Sequence, residues 1–333
     1  MKSRKRNGGK QEMNVIASTF TFRRNCGNST QLGEKSDMEK QKIYIKNVIV
    51  TLSSAKLKNP EDEVLWVTDQ EPPAEFRQQI EQAGVKVAII PFDHYVMPQK
   101  YPWALAFFKL CALTWLSTQE YEKILLIDAD TYTVESYTEL WQEMEYGLML
   151  FPVNHSFQHL TRTEIREDAT SLGWGECGNV IHYGGEFVGA CRQDLVEFLK
   201  LCETVCNRIK ENDYAVHDNF GDETVIAIAS MLYKKEHPLT EAGAYIFRYW
   251  TERYFYLVST NTIYNPVCIW HMPAEKDKGL LMLYNYYRKH GHYPDKKKAA
   301  HLLGICPAKR PSNIVTLRGR IMRKMSNLRS GKK

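Results

Sequence analysis

Lys123-Ile-Leu-Leu-Ile127 is followed directly by Asp128-Ala-Asp130, and this stretch decides how the fold is predicted. Apart from the lysine, the first segment is apolar and lacks the alternation of a half-exposed strand. We therefore predict a central strand that is buried on both faces. Carboxylates are costly to bury, so two of them directly after the strand indicate its carboxyl end, where α/β sheets bind ligands.

Asp128 and Asp130 are spaced i, i+2, which lets two carboxylates share one hard divalent cation such as Mg²⁺ or Mn²⁺. Such an ion keeps open coordination positions for the phosphate oxygens of a substrate. The alternative is an ordinary strand-to-turn boundary, where aspartate is common. The buried strand before the pair favours the metal site.

Composition places the chain among soluble globular proteins, since 44% of its 333 residues are hydrophobic and 12% are aromatic. No apolar run approaches the roughly 20 residues of a membrane-spanning helix. The basic stretch Met1–Lys10 is not followed by an apolar signal core, so we do not expect secretion. The eight cysteines are scattered without a Cys-x-x-Cys pair, and we expect them to be reduced in a cytoplasmic protein.

The net charge of +5 is unevenly distributed. Residues 1–10 and 309–333 hold 14 of the 44 basic residues and none of the 39 acidic ones, which leaves the body between them with a net charge of −9. A body this acidic is not expected to bind nucleic acid. We predict a disordered basic N-terminus over residues 1–11 and a basic tail over 301–333.

Strands and helices are predicted to alternate with short connections along residues 14–151, which indicates an open, largely parallel α/β sheet. The segment from Ile45 to Leu52 has helical spacing, although its β-branched residues leave a strand open as the alternative. The predicted strands run over 14–22, 64–68, 85–90, 123–127 and 147–151. The predicted helices run over 45–52, from Pro72 to Gly84, and over 104–115.

The second half of the chain is predicted to be less regular. Residues 154–179 are polar and long enough to form an irregular active-site loop. The other predicted elements are a strand over 180–190 interrupted at Gly184-Gly185, an amphipathic helix over 195–209, a helix capped by Asp222 and a strand over 267–270.

Three acidic or imidazole side chains of this half are candidates for a site, each with a simpler alternative. His271 ends an apolar strand, like the aspartates, but on its own it would be an ordinary core or surface histidine. Asp222 precedes a helix, where aspartate is also a preferred N-cap. Glu186 follows Gly184 and Gly185, and paired glycines let a backbone approach a ligand closely; otherwise it is an exposed strand glutamate.

Lys276 and Lys278 follow His271 and are candidates for binding phosphate, although spacing alone favours solvated lysines. With them, the order of motifs is Asp-x-Asp, Gly-Gly-Glu, Asp-Glu, and then histidine with nearby lysines. This order resembles the glycogenin-like retaining glycosyltransferases, the family that includes bacterial lipopolysaccharide galactosyl- and glucosyltransferases. The clearest correspondence runs from Trp115 through Glu-Tyr-Glu-Lys-Ile-Leu-Leu-Ile-Asp-Ala-Asp to Thr131 and on to Glu139-Leu-Trp141.

Other correspondences are looser. Tyr183-Gly-Gly-Glu-Phe-Val188 stands where the family has Asn-(Ser/Ala)-Gly, but it lacks the asparagine. Gly221-Asp-Glu223 is similar to Gly-Asp-Gln. His271-Met-Pro-Ala-Glu-Lys-Asp-Lys278 is similar to His-x-x-Gly-x-x-Lys-Pro-Trp, with Ala274 in place of the glycine and Asp277 in place of the lysine.

The resemblance covers about residues 14–280 and implies a GT-A fold, with a single glycosyltransferase domain over 12–300. It implies that Asp128 and Asp130 hold Mn²⁺ (or Mg²⁺) on the diphosphate of a UDP-sugar, with His271 as third ligand. Asp222 is the first candidate for the acid beside the sugar, and Glu186 is the second. The residues expected beside the donor are Asp128, Lys276, Lys278, Gly184 and Gly185.

The predicted function is a metal-dependent, retaining transfer of a hexose from a UDP-sugar to a glycan, glycolipid or protein acceptor. A nucleotidyltransferase is one alternative, but such enzymes usually carry a glycine-rich phosphate loop after the first strand, and residues 18–24 lack one. A catalytically inactive sugar-binding homologue is the other. It is suggested by the departures from the family pattern at 183–186 and 274–277.

Residues 311–333 are predicted to form a basic amphipathic helix that places the protein on the cytoplasmic face of an anionic membrane. The alternative is a helix packed on the acidic body of the protein itself. The apolar positions recur three or four residues apart, at Ile314, Leu317, Ile321, Met325 and Leu328.

Overall fold

The structure is a computed structural model that describes residues 13–23, 32–33, 35–153, 158–175, 180–218, 220–251 and 267–305, except for the side chains of 158 and 159. The predictions for residues 1–11 and for the tail over 311–333 lie outside this part of the chain. Within it, no helix is long and apolar enough to cross a membrane. The cysteines that it describes are free thiols, namely Cys111, Cys191, Cys202, Cys206 and Cys268.

Ten strands are present in the described residues. They are β1 (Asn14–Thr19), β2 (Glu63–Thr68), β3 (Lys86–Ile89), β4 (Lys123–Ile127), β5 (Thr131–Thr133), β6 (Leu148–Pro152), β7 (Tyr183–Cys191), β8 (Leu239–Glu241), β9 (Ile246–Arg248) and β10 (Ile269–His271).

The α-helices of the same residues surround these strands. They are α1 (Asp37–Lys58), α2 (Ala74–Gln82), α3 (Phe108–Ser117), α4 (Thr138–Glu143), α5 (Gln158–Ser171), α6 (Arg192–Glu211), α7 (Asp222–Tyr233), α8 (Gly279–His290) and α9 (Lys296–Leu302).

The main sheet has the strand order β3-β2-β1-β4-β7-β6-β8, and a small second sheet has the order β5-β10-β9. Strand pairs β3–β2, β2–β1, β1–β4 and β6–β8 are parallel, whereas β7 is antiparallel to both β4 and β6. The prediction of a mixed, largely parallel α/β sheet flanked by helices is thus confirmed. Because β7 runs against β4, its beginning lies at the same edge of the sheet as the ends of β1 and β4.

Strand β4 is buried on both faces, as predicted. Ile124 and Leu126 pack in the core that contains α3, α6 and α7, while Leu125 and Ile127 pack in the core that contains α1 and α2. All four side chains are fully buried. Each contributes about 1.5–3 kcal/mol of apolar burial, and the pattern leaves polar groups a place only at the ends of the strand.

Helix α1 anchors the chain directly after the two aspartates through buried hydroxyl groups. The Thr51 hydroxyl donates to the carbonyl of Thr131 at 2.8 Å and accepts from the N–H of the same residue at 3.2 Å. The Ser54 hydroxyl accepts from the N–H of Thr133 at 3.1 Å. These bonds hold β5, and with it the turn that carries Asp130, against the helix.

The prediction of an irregular segment over 154–179 is wrong, because α5 occupies the middle of that range. Its apolar stripe is narrow: Ile165 and Ala169 are buried one turn apart, and Leu172 follows them. A stripe of this width gives a weak helical pattern in a polar segment.

Two further local predictions are wrong. Strand β7 runs through Gly184-Gly185 without interruption. Its pairing with β6 changes register there, since Leu150 pairs with Val188 but the next residue, Phe151, pairs with Gly184. Gly221 occupies the N-cap position of α7, so Asp222 is the first residue of the helix rather than its cap.

Candidate active site

Asp128 and Asp130 lie where β4 turns into β5, at the carboxyl end of the central strand. Backbone hydrogen bonds fix this turn on two sides. The N–H of Asp128 donates to the carbonyl of Glu186 at 3.0 Å, and the carbonyl of Asp130 accepts from the N–H of Met272 at 2.9 Å. The Asp128 side chain is 22% exposed and that of Asp130 only 4%, so Asp128 is the more open of the two.

His271 is brought to these aspartates by the pairing of β10 with β5. Its Nε2 atom lies 3.2 Å from Oδ1 of Asp130 and 3.9 Å from Oδ2 of Asp128. One ligand atom from each of the three residues lies within 4.8 Å of the others. Carboxylate oxygens suit Mg²⁺ and Mn²⁺, and an imidazole nitrogen favours a transition metal, so this donor set fits Mn²⁺.

The charges around His271 favour the protonated form of its imidazole. Burial by itself would lower the pKa of this imidazole, but the negative charges of Asp130 and Glu186 outweigh burial and raise the pKa to about 9. Burial by itself would raise the pKa of Asp130, yet the positive charges of Lys276 and His271 hold the pKa of that carboxyl well below its usual range. At neutral pH, therefore, the carboxylate is ionised and the histidine is protonated.

Lys276 and Lys278 have different positions. The Lys276 side chain is buried, forms an ion pair with Asp130 and donates to the carbonyl of Pro273 at 3.3 Å. Lys278 is exposed and does not line the cavity. Asp277, the next residue after Lys276, pairs with Lys35 at 2.6 Å.

Glu186 lies behind His271. It is fully buried and is absent from the cavity wall. Its Oε1 lies 3.1 Å from Nδ1 of His271, and Arg248 binds both of its oxygens, Nε at 2.6 Å and Nη2 at 2.5 Å. Burial opposes ionisation, but the charges of Arg248 and His271 lower the pKa of Glu186 to about 2. Because it cannot reach the cavity, this carboxylate is unsuited to act beside a sugar.

Asp222 lines the cavity and is held by Lys109. The Lys109 Nζ atom lies 3.2 Å from Oδ2 of Asp222, 2.7 Å from Oδ1 of Asp128 and 3.3 Å from the carbonyl of Gly185. The contact with Asp222 is an ion pair without hydrogen-bond geometry, so Oδ2 accepts no hydrogen bond in the described structure.

Gly184 and Gly185 make room for these two ion pairs. A Cβ atom on Gly184 would collide with Oε2 of Glu186 and lie 2.7 Å from Nη2 of Arg248. A Cβ atom on Gly185 would collide with Oδ2 of Asp222 and lie 3.0 Å from Nζ of Lys109. The two glycines thus leave space for side chains of the protein itself. The sequence had instead suggested that their backbone approaches a ligand closely.

Glu223, the residue after Asp222, is part of a chain of polar contacts that runs from Arg248 to Thr161. Its Oε1 accepts from Nη2 of Arg248 at 2.8 Å, and its Oε2 lies 2.7 Å from Nε2 of His182. The other ring nitrogen of His182 lies 2.7 Å from the hydroxyl of Thr161 in α5. Although burial opposes it, Arg248 and His182 hold the pKa of Glu223 well below its usual range.

These groups surround a cavity of about 500 Å³ at the edge of the sheet where β1 and β4 end. The candidate metal ligands Asp128, Asp130 and His271 line this cavity between two groups of side chains. The wall beyond β1 is aromatic and carries Phe20, Phe22 and Tyr44, while the wall beyond β7 is polar and carries Thr161, Glu164, Asp168, His182 and His217.

The structure brings Asp128, Asp130, His271 and Lys276 together, along with charged residues that the sequence did not single out. Lys109 is a lone cation within the apolar stretch Phe107-Phe-Lys-Leu-Cys111 of α3, and that contrast could have marked it. Arg248 carries no such signal, because its role depends on contacts with Glu186 and Glu223, which lie far from it in the chain.

Comparison with known proteins gives weak similarities. No protein-family model matches the chain, and no curated protein matches it. The structure of galactosyltransferase LgtC in complex with donor and acceptor sugar analogues aligns at 12% identity with a TM-score of 0.48, covering 89% of this chain and 98% of the other. That of mouse xyloside xylosyltransferase 1 in its apo form aligns at 13% identity with a TM-score of 0.48, covering 79% and 98%. Similarities at this level do not assign a family or a function.

Proposed function

We propose that this protein is a metal-dependent glycosyltransferase of the GT-A type, which moves a hexose from a UDP-sugar to an acceptor hydroxyl with retention of configuration. The observation that carries the proposal is the cluster of Asp128, Asp130 and His271, with Lys276 beside it, at the edge of the main sheet where the parallel strands β1 and β4 end. Ligands of open α/β sheets bind at this edge. When bound there, Mn²⁺ would neutralise charge on the departing diphosphate.

The charges around the cluster suit a diphosphate as the leaving group. Lys276 and Lys109 each pair with one of the metal-binding aspartates. With an ion bound by those aspartates, both ammonium groups would be available to attract and orient phosphate oxygens. The aromatic side chains of Phe20, Phe22 and Tyr44 line the cavity and provide faces on which a planar base stacks.

Asp222 is the residue that we place beside the transferred sugar. It lines the cavity, and its position is fixed by Lys109. Its Oδ2 is buried beside Lys109 and accepts no hydrogen bond in the described structure, so the carboxylate acts on the sugar through its charge. Its negative charge would stabilise the positive charge that develops on the sugar ring as the bond to the diphosphate breaks.

Two observations argue against an inactive homologue. The departure at 274–277 leaves a lysine in the site, because Lys276 reaches Asp130 while Asp277 turns to Lys35. The departure at 183–186 places Gly184 and Gly185 where they accommodate ion pairs of the site. A nucleotidyltransferase is less well supported, since the end of β1 leads into Phe20 and Phe22 rather than a glycine-rich loop.

The proposal is tested by incubating the protein with Mn²⁺ and each member of a panel of UDP-sugars, with water as acceptor, and measuring released UDP. We expect release from at least one UDP-hexose, its loss with EDTA and its loss in Asp130→Asn. Once an acceptor is found, the anomeric coupling constant of the product establishes retention. Release of pyrophosphate from a nucleoside triphosphate and a sugar phosphate would instead establish the nucleotidyltransferase.

A further inference from the structure

The metal-binding histidine is supported by a charged group that no substrate can touch. Glu186 in β7 is fully buried and lies 3.1 Å from Nδ1 of His271, on the side of the ring opposite to the aspartates. The other ring nitrogen, Nε2, faces Asp130 at 3.2 Å. An imidazole whose two nitrogens face two different carboxylates has its ring plane and its direction fixed.

Glu186 is itself held by a partner that fixes both of its oxygens. Arg248 in β9 contacts Oε1 with Nε at 2.6 Å and Oε2 with Nη2 at 2.5 Å. This two-point contact between a planar guanidinium and a carboxylate prevents rotation of the carboxylate. Arg248 also binds Glu223 at 2.8 Å, which lines the cavity.

Gly184 makes the arrangement possible. It lies in β7 two residues before Glu186, at the register shift between β6 and β7. Any Cβ atom there would occupy the place of the Glu186 carboxylate and lie 2.7 Å from Nη2 of Arg248. A glycine at position 184 is therefore needed for the Glu186 carboxylate to lie between His271 and Arg248.

We propose that Glu186, Arg248 and Gly184 form a positioning unit for His271, in which Glu186 accepts the Nδ1–H and thereby directs an unprotonated Nε2 at the metal between Asp128 and Asp130. Glu186 acts through His271 and is a positioning residue. The inference rests on the proposed metal site but does not depend on glycosyl transfer.

Outer groups of this kind fix the tautomer of a ligating histidine, and their loss typically weakens metal binding 10- to 100-fold. The test is a titration with Mn²⁺ alone, followed by the electron paramagnetic resonance signal of the free ion. We expect Glu186→Gln and Gly184→Ala each to raise the Kd for Mn²⁺ at least tenfold. Gly184→Ala matters because it displaces the carboxylate without changing any ionisable group.

Asp62→Asn is the matched control. Asp62 is a half-buried carboxylate that accepts hydrogen bonds from Trp141 at 2.7 Å and Asn14 at 3.2 Å, and it does not line the cavity. We expect its substitution to change the Kd less than twofold. Mn²⁺ affinity that stays within twofold of the unmodified protein in folded Glu186→Gln or Gly184→Ala would overturn the proposal.

A second measurement needs no variant at the positioning unit. In the protein loaded with Zn²⁺, a diamagnetic ion that binds imidazole nitrogen well, long-range ¹H–¹⁵N spectra should show His271 protonated at Nδ1 and unprotonated at Nε2, with the signals assigned through His271→Gln. A proton on Nε2 in that state would overturn the proposal even if the other variants fail to fold.

The parent proposals fail in ways that can be told apart. Undiminished Mn²⁺ binding by Asp130→Asn means that the metal site is elsewhere, and the positioning unit falls with it. Tight binding that depends on Glu186, without release of UDP from any UDP-sugar, contradicts glycosyl transfer and leaves the positioning unit intact.

Discussion

The ammonium group of Lys109 lies 3.2 Å from Oδ2 of Asp222 and, on its other side, 2.7 Å from Oδ1 of Asp128. One cation therefore connects the proposed metal site to the proposed acid beside the sugar. Burial alone would lower the pKa of Lys109, but the two carboxylates raise it above its usual value. The lysine thus stays charged, and removing it changes both halves of the site.

Lys109→Met should affect metal binding and turnover in opposite directions. Loss of the cation leaves the negative charge of Asp128 without its lysine partner, so Mn²⁺ should bind several-fold more tightly in the absence of donor. Turnover of the UDP-sugar should fall about 100-fold, because a charged group that orients the diphosphate is gone. Parallel Mn²⁺ titrations and UDP-release assays check both effects, and a loss of metal affinity together with turnover would contradict this role.

Asp222→Asn should lower kcat far more than it changes the KM for the donor. The amide keeps the shape of the side chain but removes the negative charge beside the sugar, which should cost about 100-fold or more in kcat. Steady-state UDP release measures the two constants. Glu211→Gln, at the exposed end of α6, is the control and should leave both unchanged.

Gly185→Ala should destabilise the fold, whereas Gly243→Ala should be neutral. A methyl group at Gly185 would collide with Asp222, and overpacking of this kind costs about 1–3 kcal/mol. A methyl group at Gly243 would meet no atom within 4 Å in the described structure, and the φ angle there is not positive. Urea unfolding of the two variants compares the free energies, and equal values would contradict the packing argument.

Binding of Mn²⁺ should strengthen as pH rises toward 9. In the metal-free protein the pKa of His271 is raised to about 9, so at lower pH the proton on Nε2 must leave before the metal binds. The apparent Kd should therefore rise about tenfold for each pH unit below 9. Mn²⁺ titrations between pH 6.5 and 8.5 test this slope, and His271→Gln should flatten it.

Thr51→Val should lower the free energy of unfolding by about 1–3 kcal/mol, because the buried peptide of Thr131 loses both of its hydrogen bonds to the Thr51 hydroxyl. Thr51→Ser retains the hydroxyl and should recover most of the loss. Denaturant unfolding of both variants measures the difference. Destabilisation by Thr51→Ser together with none by Thr51→Val would show that the methyl group, rather than the hydroxyl, is what matters.

The sequence predicted the parts of the fold that depend on local pattern. The apolar run before Asp128 identified the central strand, and the strong stripe from Leu195 to Ile209 identified α6. It failed for α5, whose buried stripe is limited to a few positions such as Ile165 and Ala169. Periodicity identifies an element only when enough of its surface is buried to produce a pattern.

The candidate site could be predicted only where its residues end strands. Asp128, Asp130 and His271 share that feature, and the antiparallel pairing of β10 with β5 brings the histidine to the aspartates. The role of Glu186 could not be predicted, because burial beside Arg248 is decided by the pairing of β7 with β4 and of β9 with β10. A carboxylate after two glycines has the same sequence pattern whether it faces a substrate or a guanidinium.

The site is built from parts of the chain that are far apart in sequence, which links metal binding to the folding of the protein. Lys276 and Asp130 are separated by 146 positions, so the cluster forms only after a long chain closure, which is entropically unfavourable and slow. An ion that binds the closed form and not the open chain shifts the folding equilibrium by mass action. If Mn²⁺ binds as proposed, a higher Mn²⁺ concentration would lower the unfolded fraction and slow proteolysis, independently of how fast the protein turns over substrate.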